Sequence, residues 1–301
     1  MASVMSGGFG SASGGPNGNN GTQFLSMLSP PGNDLARYDK TKPYNQQAAC
    51  IPQTFLDAMS VREDVYGEQG IPLEEEFDED DRRSWHWVVY ASVASTAASP
   101  PRELEPTRPS SKEEDARRSS ATASRLPVGT VRMIPPPHGV NKYITTAQPK
   151  AGDKHPDADP PLRLKIDTMD TTHPQEPYVK LGRLAVLTPY RSLGLAKLLV
   201  NTALEWASRN TDLIGYPPSP TALEVATQRG RTDGVVTVWN GLVMIHAQVS
   251  VAGWWKKHFT FADELVNDRG EVEIAKEPRW MEEGIEHEGM WKRLAVDISR
   301  L

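Results

Sequence analysis

Within one stretch, residues 178–207, the spacing of apolar positions changes from that of a strand to that of a helix. Leu181, Arg183, Ala185 and Leu187 alternate with Gly182, Leu184 and Val186, and every position from 184 to 187 is apolar, which predicts a strand covered on both faces. Leu195, Leu198, Leu199, Thr202, Ala203 and Trp206 then recur at three- and four-residue spacing, one face of an amphipathic helix. Around this centre the same reading predicts a helical stretch over 46–66 interrupted by Pro52 and an aromatic, β-branched strand over 85–91. An antiparallel partner for that strand follows over 128–134. Further on come a loop or partly helical excursion over 210–234, a buried strand over 235–248, a helix over 249–258, a turn over 264–273 and a last strand pair over 280–294.

Three segments lack any such period. Residues 1–43 are rich in Gly, Ser, Asn and Pro, 95–125 form a Ser/Pro/Arg/Glu tract, and 138–176 hold scattered apolar residues among prolines. The expected organisation is therefore a disordered arm, 1–43, followed by one domain, 44–301, carrying low-complexity insertions at 95–125 and 138–176. Ser119 and Ser120 beside Arg117 and Arg118 read either as a phosphorylation site or as a basic-serine cluster typical of disorder.

The turn between the central strand and helix, 188–196, carries the first chemical signal. Gly194 and Ala196 keep the backbone bare where the helix begins, so its orphan N–H groups and positive dipole end can face an anion. Neither the Walker spacing GxxxxGK nor the dinucleotide spacing GxGxxG occurs there.

A net charge of −6 argues against a nucleic-acid partner. The acids concentrate at 74–81, EEEFDEDD, a run that reads first as a solvated loop and second as a field attracting a cationic amine. Cys50 is the single cysteine, which excludes a disulfide framework or a CxxC metal knuckle. With no secretory leader pattern and no apolar stretch long enough for a bilayer, the expectation is a soluble intracellular protein, cytoplasmic or nuclear, without membrane contact.

Arg191, Gly194 and Ala196, spaced as RxxGxA after a strand, resemble the pyrophosphate loop of the GNAT N-acetyltransferase superfamily. Val65-Tyr66-Gly67-Glu68-Gln69 before the acidic run is similar to the VFVxEQ segment of its ElaA-like branch. His246-Ala247-Gln248 before Trp254-Trp255, and 282–290 (EEGIEHEGM), are similar to that branch's AQ…FY and EEDGIxHxGM segments. The resemblance implies a mixed α/β fold, a mostly antiparallel sheet in which one parallel strand pair splays to admit acetyl-CoA, with two helices from 46–66 walling the acceptor pocket. It implies an acetyl-CoA-dependent N-acetyltransferase acting on an amine, a small molecule in preference to a protein lysine or N-terminus. A non-catalytic acyl-CoA-binding module is the competing reading, and the protein would be a monomer or homodimer.

By the same resemblance Leu184, Ala185 and Val186 line the pantetheine track, with the Val186 N–H as oxyanion donor. Arg191, Ser192, Leu193, Gly194, Leu195, Ala196 and Lys197 carry the pyrophosphate, and Gln248 and Trp255 complete the donor site. Trp255 stands where the superfamily has its acid Tyr, and an indole has no transferable proton near neutral pH. His258 or a water would then supply the acid. Glu68 and His287, followed by Glu283 and His246, are the candidate bases, each with an alternative structural reading.

Overall fold

The computed structural model describes residues 24–93, 124–138, 141, 143, 176–214 and 239–296. Their strands are β1 (Leu25–Leu28), β2 (Trp85–Val93), β3 (Ser124–Ile134), β4 (Val179–Val186), β5 (Leu242–Gln248), β6 (Leu265–Val266), β7 (Val272–Ile274), β8 (Trp280–Glu282) and β9 (Ile285–Arg293). The helices are α1 (Gln53–Gly67), α2 (Leu195–Arg209), the single turn α3 (Thr211–Ile214) and α4 (Val249–Phe259). Seven strands form one sheet in the order β1-β2-β3-β4-β5-β9-β8, and its neighbours are antiparallel except for the parallel pair β4–β5. This is the mixed α/β architecture expected from the sequence.

The two faces of the sheet are covered differently. Helices α2 and α4 pack on one, in a core that includes Trp87, Val131, Leu181, Leu199, Ile245 and Trp255. Helix α1 lies on the other, where Ala58 meets Val88 and Tyr90, and Val61 and Val65 meet Ala185. Because strand side chains alternate between faces, Arg132, Lys180, Gly182 and His246 share this second face.

That second face holds buried charge. The acidic run is not a solvated loop: Glu76, Asp78, Asp80 and Asp81 are buried, and only Glu74 and Glu79 are fully exposed. Asp78 and Asp81 form a reciprocal capping box at the short 3-10 helix Glu79–Arg83 and present their remaining lone pairs to arginines. Arg62 of α1 grips Asp81 with two bonds of 2.8 and 3.3 Å, and Arg132 of β3 bonds both Asp78, at 2.6 Å, and Asp81, at 2.9 Å. Arg183 of β4 reaches Asp78 at 3.3 Å and the Glu75 carbonyl at 3.2 Å. Burial alone would raise the Asp81 carboxyl, but the guanidiniums of Arg62 and Arg132 outweigh it and hold the group below its ordinary range. Asp80 pairs separately with Arg83.

The network sits on a bulge. Gly129 pairs with Val186, Thr130 with Ala185 and Arg132 with Gly182, so Val131 faces both Arg183 and Leu184. Arg183 adopts φ 52, in the left-handed region that opens a bulge and increases the local twist. Strand β4 keeps its parallel pairing with β5 from Val179↔Val243 to Leu181↔Ile245 and then diverges.

Several sequence expectations are corrected. The folded unit begins before residue 44: Leu25–Leu28 pairs with β2, and Leu35 is fully buried beside Phe55 and Met59. Helix α1 is the one α-helix over 46–66; Pro52 ends the preceding segment and caps it, since a proline lacks the N–H an interior position needs. The expected turn over 264–273 carries the two-stranded β6–β7 pair. Ser124 and Arg125, assigned to an insertion, start β3; the rest of 95–125 lies outside the described residues, with most of 138–176, Ser119, Ser120 and the start of the strand placed at 235–248. No described helix is long and apolar enough to cross a membrane.

Replacing Arg132 by Met leaves Asp78 and Asp81 short of a buried cation and should cost roughly 3–5 kcal/mol, read from urea unfolding. His86, buried under α1 with its Nε2–H on the Asp81 carbonyl at 3.0 Å, is held neutral: burial lowers its pKa to about 4, and Asp81 only partly offsets this. A depressed histidine contributes stability above its unfolded pKa that is lost as pH falls toward its folded one. The stability advantage of the parent over His86→Gln should therefore shrink by on the order of 3 kcal/mol between pH 6.5 and 4.

Candidate active site

Where β4 and β5 part, the protein has a cleft of about 490 Å³. One wall is the free edge of β4. Leu187 N–H donates to the Val128 carbonyl at 2.9 Å, which makes Gly129–Val186 a non-hydrogen-bonded pair and turns the Val186 amide away from β3, into the gap. The opposite wall is the end of β5, with His246, Ala247 and Gln248, backed by Trp254 and Trp255 of α4. Tyr66 and Gln69 approach from the end of α1, and Glu282, Glu283 and His287 from the β8–β9 hairpin.

At the mouth, the turn after β4 delivers the start of α2. Ser192 and Gly194 both adopt positive φ, 65 and 81, and Gly194 is the N-cap, so the N-cap position supplies no side-chain bond to the helix's first N–H groups. Those groups and the dipole end are thus available to an anion. Of the twelve expected donor-site residues, Leu184, Ala185, Val186, Arg191, Ala196, Gln248 and Trp255 line the cleft. Ser192, Leu193 and Gly194 are exposed on the turn beside it and Lys197 on the first turn of α2, and the Leu195 side chain is buried in the core under α2.

The polar groups of the mouth are bonded to one another. Arg191 Nε donates to the Val186 carbonyl at 3.0 Å, and its Nη2 lies 3.6 Å from Glu68, whose carboxylate also accepts from the Thr188 hydroxyl at 2.9 Å. Gln248 donates to Gln69 at 3.1 Å. The turn that ends α1 therefore touches both arms of the fork.

Of the candidate bases, His246, Glu283 and His287 line the cleft, while Glu68 is exposed and engaged with Arg191 and Thr188 outside it. His246 follows Ile245, the last residue of β5 paired to β4. His287 Nδ1 donates to the Ile285 carbonyl at 2.9 Å, which fixes its tautomer and leaves Nε2 as an acceptor. Glu283 and Gly284, at φ 46 and 76, make the two-residue hairpin turn whose positive angles suit the twist of the flanking strands. His258 is not among the cleft-lining residues. Partial desolvation and the ammonium groups of Lys197 and Lys257 push its imidazole below the ordinary range.

Trp255 is buried and packs against Phe259 and Phe261, so this position offers bulk and no proton. Tyr66, Lys180 and Glu282 line the cleft without having been among the candidate site residues. Tyr66 donates to the Leu184 carbonyl at 3.4 Å, and burial pushes its hydroxyl up to about 12; its signal was its place one turn beyond Arg62 on α1. Lys180 lies on β4 in a run that looked purely structural. Glu282 stood next to the chosen Glu283, and only the alternation of β8, which puts it on the face of Trp280, distinguishes the two.

Among known proteins, the model of the acetyltransferase (GNAT) family matches residues 90–216. No curated protein sequence matches the chain. Solved structures it is similar to include an acyl-CoA N-acyltransferase from Pseudomonas aeruginosa, at 14% identity over 83% of this chain and 95% of that one, with a TM-score of 0.36. Escherichia coli ElaA is similar at 13% identity over 83% and 95%, with a TM-score of 0.34. The matched segment contains β4, its bulge, the RxxGxA turn and α2, and over these residues the chain is similar to the acetyltransferase (GNAT) family.

Proposed function

We propose that this protein is an acetyl-CoA-dependent N-acetyltransferase of the ElaA-like branch, with a small amine as acceptor. The observation that carries the reading is the free edge of β4 at Val186, opening beside an α2 N-terminus that no side chain caps. An extended amide-bearing chain can pair with that edge as an added strand, and a pyrophosphate can take the helix N–H groups. The donor's pantetheine and pyrophosphate are such a chain and such an anion. Ile71, Ile134 and Ile285 make part of the lining apolar, which suits a compact amine.

The reaction needs a base because an ammonium of pKa roughly 10 must lose a proton before its nitrogen can attack near neutrality. His246, at the fork, takes that proton. The nitrogen then forms a bond to the thioester carbon, and the Val186 N–H stabilises the oxygen as it gains charge. As the C–S bond breaks, the nitrogen's second proton passes through water to the departing thiolate. Tyr66, its hydroxyl kept protonated, holds the Leu184 carbonyl in place beside these steps.

Calorimetric titration with acetyl-CoA should give micromolar binding that Gly194→Asp abolishes, since a side chain at φ 81 is strained and its carboxylate repels phosphate. No binding by the parent would remove the proposal. Binding without thiol release across a panel of amines would make the chain a non-catalytic acyl-CoA module. Steady-state thiol release should fall roughly a hundredfold in His246→Gln and stay within about twofold in His258→Ala, which lies outside the cleft.

A further inference from the structure

We propose that Glu282 is the positioning residue for His246, a buried carboxylate that sets the tautomer and raises the basicity of the imidazole; the inference rests on the amine-acetyltransferase reading. Glu282 Oε2 lies 3.7 Å from His246 Nδ1, and both side chains are 8% exposed. The carboxylate is itself fixed. Trp280 Nε1 donates to the same Oε2 at 3.1 Å, and the Trp280 ring stands edge-on to the imidazole with centroids 4.7 Å apart. The two-residue turn at Glu283–Gly284 pins the end of β8 to β9, so the carboxylate approaches β5 from a rigid element.

An anion beside Nδ1 favours the tautomer with its proton there, which leaves the lone pair on Nε2, and it stabilises the imidazolium formed when that nitrogen accepts a proton. This is the arrangement in which a base is oriented by a third group. Among the described residues, Lys180, Arg132, His287, Tyr66 and Glu277 do not duplicate it. Lys180 of β4 and Arg132 of β3 line the same cleft and are basic, so neither can act as an acceptor for Nδ1–H. The Nδ1–H of His287 of β9 is engaged by its own strand's carbonyl. Tyr66 of α1 stays neutral through burial, and Glu277 lies over Gly289, where a β-carbon would collide with it; burial raises its carboxyl to about 7 and Lys180 lowers it only in part.

Glu282→Gln in the full chain tests the inference, because the amide oxygen still accepts from Trp280 while the charge is gone. Imidazole NMR titration, with the His246 signal assigned by its absence in His246→Gln, should show its midpoint falling by about one unit in Glu282→Gln. The acid limb of kcat/KM should move to lower pH with it, and kcat should drop roughly tenfold to a hundredfold with the calorimetric Kd for acetyl-CoA unchanged. Glu282→Asp keeps the charge and should keep most of the midpoint. A parent-like midpoint and kcat in Glu282→Gln, or a loss confined to KM, would overturn the assignment while leaving acetyl transfer standing. If the midpoint moves but the parent transfers acetyl to no amine, the acetyltransferase reading fails and takes the catalytic role of the pair with it.

Discussion

The arrangement of the cleft depends on a balanced cluster of buried charge: the guanidiniums of Arg62, Arg132 and Arg183 against the carboxylates of Glu76, Asp78 and Asp81. Such a cluster is costly to desolvate, and hydrophobic side chains of equal volume would often be as stable. Here it also has a geometric effect. Arg183 holds a backbone conformation that a side chain rarely adopts, and its guanidinium is tied to Asp78 and to the Glu75 carbonyl. Strand β4 pairs with β5 no further than Leu181, and the bulge at Arg183 follows at once, so the strand twists most where the gap opens. Helix, loop and two strands thus contribute to one angle.

How much of this was legible in the sequence varies with the range of the interactions. The change of period in the central stretch gave β4, the turn and α2 nearly residue for residue, because each depends on neighbours in the chain. The antiparallel pairing of β2 with β3 followed from composition, although the intervening residues lie outside those described. The burial of the acidic run is not legible because sequence shows charge density but not the arginines that meet it, two of which lie far along the chain in β3 and β4. The short strand at Leu25–Leu28 was lost in its Gly- and Asn-rich surroundings; four residues carry too little period to stand out, and only pairing with β2 stabilises them.

The site shows the same division. The glycine-bearing turn that opens α2 is a local motif and could be found from spacing. The groups at the fork come from α1, β4, β5 and the β8–β9 hairpin, and adjacency in sequence favoured Glu283 over Glu282, whereas the pleat of the strand favours the reverse. Glu68 shows the opposite error: it belongs to a recognisable segment, yet the end of α1 carries it to the outside of the cleft.

The bonds among the mouth's own polar groups bear on how an acyl donor is held. The Val186 carbonyl already accepts from Arg191, and the Gln248 amide is already bonded to Gln69. A guest that pairs with this edge exchanges one hydrogen-bond partner for another, so the net gain per bond is small and attraction comes mainly from burying its apolar length. The guanidinium that would be displaced belongs to the turn before α2, where its Nη2 also lies 3.6 Å from Glu68. If an acyl donor paired with this edge, Arg191 would have to leave the Val186 carbonyl, which would couple entry at the strand edge to the charge at the α2 terminus through one side chain.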